Sequence, residues 1–381
     1  MRVLIDYRPA LRQRSGVGEY THQLARALAS SFAPANGARP LELTLFSSSW
    51  KDRFAPGAEL AGAAAIDRRV PVGLLNFAWH RLGWPPAEWL AGAAFDVAHS
   101  SHPLLMPARD AAQVITIHDL DFLSHPERTR AEIRRDYPAL VGAHARRADA
   151  IIVSSAFTAG EVERRLGVDR DRIGVCPAGA PEWTPRANAP ADGYVLFLGT
   201  LEPRKNLGGL LDAYERALAA ERSNQSPKLP DLVVAGRATG AAAPWLDRIG
   251  RAPLAGRVRY VGYVEPDARR ELYAGARLLV QPSFEEGFGM TVLEAMSLGV
   301  PVVAARRGSL PEVLGDAGLL VDPDSADEIA AAIRRIATDA PFAAECAAKG
   351  RARAAAFTWT ATADRVYRTY QQAMARRARR G

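Results

Sequence analysis

Gln281 to Gly299, QPSFEEGFGMTVLEAMSLG, constrains this chain more than any other stretch. It follows the apolar run Ala276-Arg-Leu-Leu-Val280, which reads as a buried strand. Gly287 and Gly289 then mark a tight turn, and Met290 to Leu298 reads as a helix closed by Gly299. Strand, glycine turn and helix together point unpaired backbone N–H groups, and the positive end of the helix dipole, at the mouth of the turn. Glu286 precedes the turn, and Glu294 lies about one helical turn past Met290. A phosphate suits the amides. The hydroxyls of a sugar, which donate hydrogen bonds, suit the carboxylates. The stretch therefore predicts a phosphorylated sugar ligand.

The spacing Glu286, seven residues, Glu294, inside EGFGMTVLEAMSLGVPVVA, resembles the E-x7-E signature of retaining GT-B glycosyltransferases, family 4. The resemblance implies two Rossmann-like domains facing a cleft, with a C-terminal helix that crosses back to the N-terminal domain. It implies that Gly287, Phe288, Gly289, Met290 and Thr291 line the donor, that Glu286 holds sugar hydroxyls and that Glu294 holds the ribose. The bland alternative is a generic strand-turn-helix carrying two solvated glutamates.

Several other segments agree with that expectation. Tyr194-Val-Leu-Phe-Leu-Gly199 reads as a strand, followed by Thr200-Leu-Glu-Pro-Arg-Lys-Asn206 and a helix from Leu207 to Ala219. Two cations, Arg204 and Lys205, beside a helix N-terminus suit a pyrophosphate; exposed to solvent they would oppose the helix dipole. The block resembles the family's donor-phosphate loop, with Gly199 as its glycine. Thr200 stands where many relatives have arginine, so Arg204 is the candidate for that contact. Asp231 to Gly236 and Arg259 to Val264 read as further strands, and Tyr263 and Val264 become candidate base contacts by the resemblance.

In the first half, Arg2-Val-Leu-Ile-Asp6 reads as a first strand and Gly16-Val17-Gly18 as a turn feeding a helix. By the resemblance these three residues lie near the donor diphosphate. Arg8, Arg12 and Arg14 are candidates for an acceptor phosphate; a solvated basic loop fits them equally. Gln113 to Ile117 reads as a strand that delivers His118 at its carboxyl end, where open α/β sheets bind ligands. The family has a histidine in a matching HD segment that contacts the donor sugar. Asp119-Leu-Asp121 spells DxD, but it lies far upstream of the nucleotide region, and no metal site is expected. His99, His102, His125 and His144 lack metal spacing and read as structural.

Leu74 to Trp84 is aromatic and basic. A helix packed on the first sheet is the preferred reading, and contact with a membrane surface the alternative. Phe357 to Arg380 reads as a long final helix. Its Arg376-Arg-Ala-Arg-Arg380 end reads as a frayed, solvated tail, or as a contact for anionic lipid.

The chain has 381 residues, enough for two α/β cores. The composition shift from Pro181 to Gly193 places a linker near residues 182 to 192, with domains at 1–185 and 192–358 and the crossing helix and tail at 359–381. Two cysteines, Cys176 and Cys346, make no disulfide framework, and the opening residues read as a strand, so a cytoplasmic protein is expected, at the inner face of the membrane if it meets lipid. A net charge of +7 suits anionic partners, and arginine kept for solubility explains it equally. No base-reading helix or stacking platform points to nucleic acid.

The expected function is retaining, metal-independent transfer of a hexose from a nucleotide diphosphate sugar to a glycan or lipid-linked acceptor. The donor is itself the substrate and no cofactor is called for. GDP-mannose is favoured, with UDP-sugars open. The rivals are a nucleotide-sugar epimerase of the same fold and a non-catalytic nucleotide-sugar-binding protein.

Overall fold

Short runs rich in Val, Ile and Leu, each followed by a helix, pair their backbones side by side in a parallel sheet covered on both faces. The computed structural model, which describes residues 1–11, 14, 16–32, 41–126, 131–222 and 228–380, contains two such sheets. Chain contacts divide it into two units, Met1–Gly179 with Thr358–Gly381, and Ala180–Phe357.

The first unit holds β1 (Arg2–Asp6), β2 (Glu42–Ser48), β3 (Ala64–Arg68), β4 (Val97–Ser100), β5 (Ala112–Ile117), β6 (Ala150–Val153) and β7 (Ile173–Val175). Their order is β3-β2-β1-β4-β5-β6-β7, all parallel. The second holds β8 (Tyr194–Leu198), β9 (Leu232–Ala235), β10 (Val258–Tyr260), β11 (Ala276–Gln281), β12 (Val302–Ala305) and β13 (Leu319–Val321), ordered β10-β9-β8-β11-β12-β13. Both are Rossmann-like. In each, the chain winds outward from the first strand, then returns to its other side. The loops after β1 and β4, and after β8 and β11, therefore part in opposite directions and leave a crevice at the strands' carboxyl ends. The second core packs Val195, Phe197, Val234, Leu278 and Val280 of the sheet against Leu210, Leu211 and Tyr214 of the helix Leu207–Arg222.

The last helix, Trp359–Arg380, belongs to the first unit. Tyr370 shares a 2.7 Å hydrogen bond with Nδ1 of the buried His99, and Thr362 Oγ1 donates to the Pro177 carbonyl at 2.6 Å. The frayed tail expected from the sequence is not found. The helix runs to Arg380, Arg376 pairs with Asp171 at 2.8 Å, and Arg380 meets Asp149 at 3.3 Å. Buried Val366, Tyr370 and Ala373 hold the helix down, and the arginines reach carboxylates more than 200 positions away in sequence. Arg376 and Arg380 are thus engaged with the protein itself.

Candidate active site

The loops after β8 and β11 flank the crevice of the second sheet; the first carries Gly199, Arg204 and Lys205, and the second carries Glu286 to Gly289 and leads into the helix with Glu294. After β8 the chain passes Gly199, turns through Pro203–Lys205 and enters the helix Leu207–Arg222. Asn206, at φ 56°, closes the turn. Its Nδ2 donates to the carbonyls of Pro282 (3.1 Å) and Pro323 (2.8 Å), and Phe284 N donates to Arg204 O at 2.8 Å. The cation-bearing turn is therefore fastened to the glutamate loop. Gly236, at φ 133°, ends the neighbouring strand so close to Gly199 that a Cβ would sit 1.9 Å from the Gly199 carbonyl oxygen. Only glycine permits this approach.

Glu286 is 7% exposed and sits at the centre of a charged cluster. Its Oε1 accepts from Lys205 Nζ at 2.6 Å, Gln281 Nε2 at 2.8 Å and Ser283 Oγ at 2.9 Å. Its Oε2 lies 3.7 Å from an Arg204 nitrogen, and Arg204 also pairs with Glu202 at 2.7 Å. Burial alone would raise the Glu286 carboxyl. The charges of Lys205 and Arg204, with hydrogen bonds from Lys205 and Ser283, outweigh it and hold the carboxyl below its ordinary value. Glu286 is thus a carboxylate at neutral pH. The cations at this helix start are balanced by carboxylates rather than left to solvent. Ser309 fixes the Glu286 backbone, its N and Oγ both donating to the Glu286 carbonyl, at 3.1 and 2.9 Å.

The turn that follows reaches Gly289, at φ 101°, which begins the helix Met290–Leu298 with no side-chain cap. No side chain therefore takes up the first amides of this helix. Met290 and Thr291 are half-buried, and Thr291 Oγ1 donates to Gln281 Oε1 at 3.2 Å. Phe288 places its ring in the protein, 6.0 Å from that of Phe357. Glu294 is buried one turn on. Its Oε2 accepts from Tyr273 OH at 2.7 Å and its Oε1 from Arg269 at 3.3 Å. Burial and the Glu294 charge push the Tyr273 phenol well up, so it stays a donor. At the end of β10, Tyr263 lies with the Arg237 guanidinium 5.7 Å from its ring centre, and Val264 is half-buried beside it in the chain. The Tyr263 hydroxyl has no hydrogen-bond partner among the described residues.

In the first unit, Gly16, at φ 53°, starts the helix Val17–Ser31, again with no side-chain cap, and Val17 and Gly18 form its first turn. His118 follows β5 as predicted. Its Nε2 donates to the Ser101 carbonyl at 3.2 Å, which places the ring proton there and leaves Nδ1 as an acceptor. Burial lowers its pKa, more than the Ser101 bond and Asp119 raise it, so the ring is neutral. Tyr20 packs edge-on against it at 5.0 Å.

The acceptor-phosphate reading of the arginines needs correction. Arg8 is nearly enclosed, with Nε and NH2 on the two Asp6 oxygens at 2.8 and 2.6 Å and NH1 on Asn76 at 2.9 Å, and it lies 4.8 Å from the Trp79 ring centre. This ion pair neutralises the buried Asp6 rather than presenting a cation to a ligand. Arg14 lies 3.0 Å from His22 Nε2, and Arg12 lies outside the described residues. Tyr273, Arg269, Gln281 and Ser283 were not singled out by sequence reasoning. Gln281 and Ser283 stand inside the central stretch, where polar residues flanking a catalytic-type carboxylate were the available signal. Tyr273 and Arg269 come from the preceding helix, Pro266–Ala274, and carried none.

Residues 14–181 match the family described as Glycosyltransferase Family 4, and residues 192–339 match Glycosyl transferases group 1. The O-antigen chain mannosyltransferase B of Escherichia coli is 31% identical, over 97% of this chain and 100% of that protein. A D-inositol 3-phosphate glycosyltransferase of Stackebrandtia nassauensis is 32% identical over 77% of this chain and 67% of that one. Among solved structures, sucrose-phosphate synthase from Thermosynechococcus elongatus superposes with a TM-score of 0.76 at 22% identity, covering 98% of this chain and 99% of that one. WaaG, a glycosyltransferase involved in lipopolysaccharide biosynthesis, gives 0.68 at 18% identity, covering 96% and 98%. These two establish the shared fold. Two charged helix-start loops meeting at the switch point of a Rossmann-like sheet, and relatives that match the chain end to end, give one conclusion: the chain belongs to the group 1, family 4 glycosyltransferases of the GT-B fold, and is a glycosyltransferase of the bacterial mannosyltransferase type.

Proposed function

We propose that this enzyme transfers mannose from GDP-mannose to a hydroxyl of a bacterial glycan or lipid-linked acceptor, with retention at the anomeric carbon and without a metal. The observation that carries the reading is the Lys205–Glu286 pair, a cation and an ionised carboxylate held against each other at the crevice of the second sheet. In the reaction the bond from the sugar anomeric carbon to the β-phosphate oxygen breaks. The acceptor oxygen bonds to that carbon from the same face, and its proton passes to the leaving phosphate. Negative charge grows on the diphosphate. Lys205 has two ammonium protons beyond the one given to Glu286, and these, with Arg204 and the uncapped helix start at Gly289, stabilise that charge.

Glu286 accepts from a sugar hydroxyl through Oε2 and Glu294 from the ribose. Tyr263 and Val264 meet the base. A carboxylate with one oxygen already taking three hydrogen bonds is a poor nucleophile, which favours the same-face route over a covalent glycosyl-Glu286 intermediate. The mannose assignment rests on the Escherichia coli mannosyltransferase relative, and the acceptor class on the O-antigen chain in its name.

Thermal unfolding of the purified protein with GDP, UDP, ADP, dTDP and their sugar conjugates in EDTA tests the donor. At a hundredfold its dissociation constant the true donor adds roughly 2.7 kcal/mol of stability. Stabilisation by GDP and GDP-mannose that vanishes in Lys205→Ala is expected. Stabilisation by UDP alone overturns the choice of base, and a glycosyl-Glu286 adduct seen by mass spectrometry overturns the same-face route.

A further inference from the structure

Among the described residues eight large hydrophobic side chains are exposed, and seven of them crowd one corner of the first unit: Trp50, Val72, Leu74, Phe77, Leu82, Trp84 and Trp89. The corner is the carboxyl end of β2 and β3. Ser48 Oγ donates to the Val70 carbonyl at 2.9 Å and Ser49 N to the Arg68 carbonyl at 3.2 Å, which sets Trp50 beside the start of the helix Val72–Phe77. This helix continues as a wider turn through Ala78–Leu82. It has two apolar faces. Leu75 and Trp79 point into the core, where Trp79 Nε1 donates to the Pro85 carbonyl at 3.1 Å. Leu74 (61% exposed) and Phe77 (57%) point out. Trp84 and Trp89 stand edge to face at 6.3 Å and are themselves more than half exposed. A folded chain leaves so concentrated an apolar surface uncovered only where something else covers it.

We infer that this corner docks on a bilayer surface carrying anionic lipid. The side chains are those of an interfacial segment: indole and phenyl rings with leucines, rimmed by the exposed cations Lys51, Arg68 and Arg69 and by Arg81, which pairs with Asp136 at 3.0 Å. Residues 68–91 carry three arginines against one carboxylate, Glu88. Glu88 is turned away from any partner by the backbone N–H groups of Arg109, Asp110 and Ala111, which it accepts at 3.0 to 3.2 Å. Asp67 is likewise spent on Arg53, at 2.8 Å. What remains is an apolar patch with a positive rim, complementary to a negative surface. A second copy of this chain fits it poorly, because a two-fold contact would press the same positive rim against itself. No described helix is long and apolar enough to cross a membrane, so the contact is peripheral. The inference is independent of the donor chemistry.

The test is cosedimentation of the full chain with vesicles of phosphatidylethanolamine and phosphatidylglycerol, and with vesicles of phosphatidylcholine alone. Binding to the anionic vesicles, weakened by salt, is expected. Phe77→Ser with Trp89→Ser should cut the partition by about tenfold or more while thermal unfolding stays unchanged. Lys51→Glu with Arg69→Glu should remove the preference for anionic lipid. Failure of the wild-type chain to bind anionic vesicles, or undiminished binding by the Phe77→Ser, Trp89→Ser variant, would overturn the inference. So would sedimentation velocity showing a dimer that this variant dissolves, with no vesicle binding, since the patch would then belong to a second copy.

Discussion

The two units share a strand order over six strands and differ in what they place beyond it. All seven histidines lie between His22 and His144, in the first unit, and the second has none. Beside the buried Asp6–Arg8 pair, the first unit's polar interior holds histidines kept neutral. His99 is buried between Tyr370 and Thr116, with a pKa driven down to about 3, and His144 is held between the Leu105 amide and the His80 carbonyl, at about 4. His80 falls to about 2. Burial is the main cause in all three. The second unit's crevice is built from permanent charges, Lys205 and Arg204 against Glu286, and Arg269 against Glu294. One sheet plan thus accommodates two electrostatic strategies. In the second unit charge is held in opposed pairs on loops fastened to each other, while in the first the histidines are buried neutral and build shape.

Acid breaks this comparison most directly. A buried histidine with a lowered folded pKa contributes fully above its ordinary value of 6.5 and loses that contribution as pH falls toward the folded value. At pH about 5.5 His80, His99 and His144 together cost the first unit about 4 kcal/mol. Glu286 has the opposite geometry of charge. Its contribution is complete above about 4.5 and is lost only as pH drops below that. Hydrogen exchange read by mass spectrometry should therefore show β4 and β5 opening at mildly acidic pH while β8 and β11 stay protected. Simultaneous opening of both sheets would show that the histidines do not separate them.

Next in size is turnover. Glu286→Gln keeps the shape and removes the charge, and should lower kcat about a hundredfold to a thousandfold with the fold retained. His118→Ala, in the first unit, removes a neutral acceptor at the carboxyl end of β5 and should cost about tenfold. Equal losses would erase the distinction between the units. Backbone substitutions come third. Gly236→Ala forces a Cβ onto the Gly199 carbonyl and should destabilise the second unit by about 3 kcal/mol. Gly92→Ala, at φ 73° in the first unit but with open space around it, should cost about 1 kcal/mol, measured by urea denaturation. The smallest effect is Tyr273→Phe, which removes the hydroxyl bonded to Glu294. Donor affinity should fall about fivefold with kcat nearly unchanged. A loss confined to kcat would place Glu294 on the reacting sugar instead of the ribose.

Much of this was legible in the chain. The strand read over Ala276–Val280 appears as Ala276–Gln281 and the helix Met290–Leu298 as read, because a strand buried on both faces is mostly apolar and glycines mark both ends of the helix. Leu74 and Leu75 were not separable by composition, since one faces the core and the other solvent, and only packing decides between adjacent leucines. Arg8 looked like a ligand cation because its sequence neighbours are basic. Asn76, 68 positions away, and the buried Asp6 show it to be an internal partner.

The amino-acid sequence by itself determined the two parallel sheets, the glycine turns at their crevices and the identity of the charged groups those turns carry, because strand, turn and helix signals are local. Tertiary structure alone decided which of those charges face each other. Glu286 gains Lys205 from 81 positions away, and Glu294 gains Tyr273 from 21. Pairing across such distances depends on where the sheet brings loop ends together, and the ionisation of a buried carboxylate depends on that neighbour more than on its own chemistry.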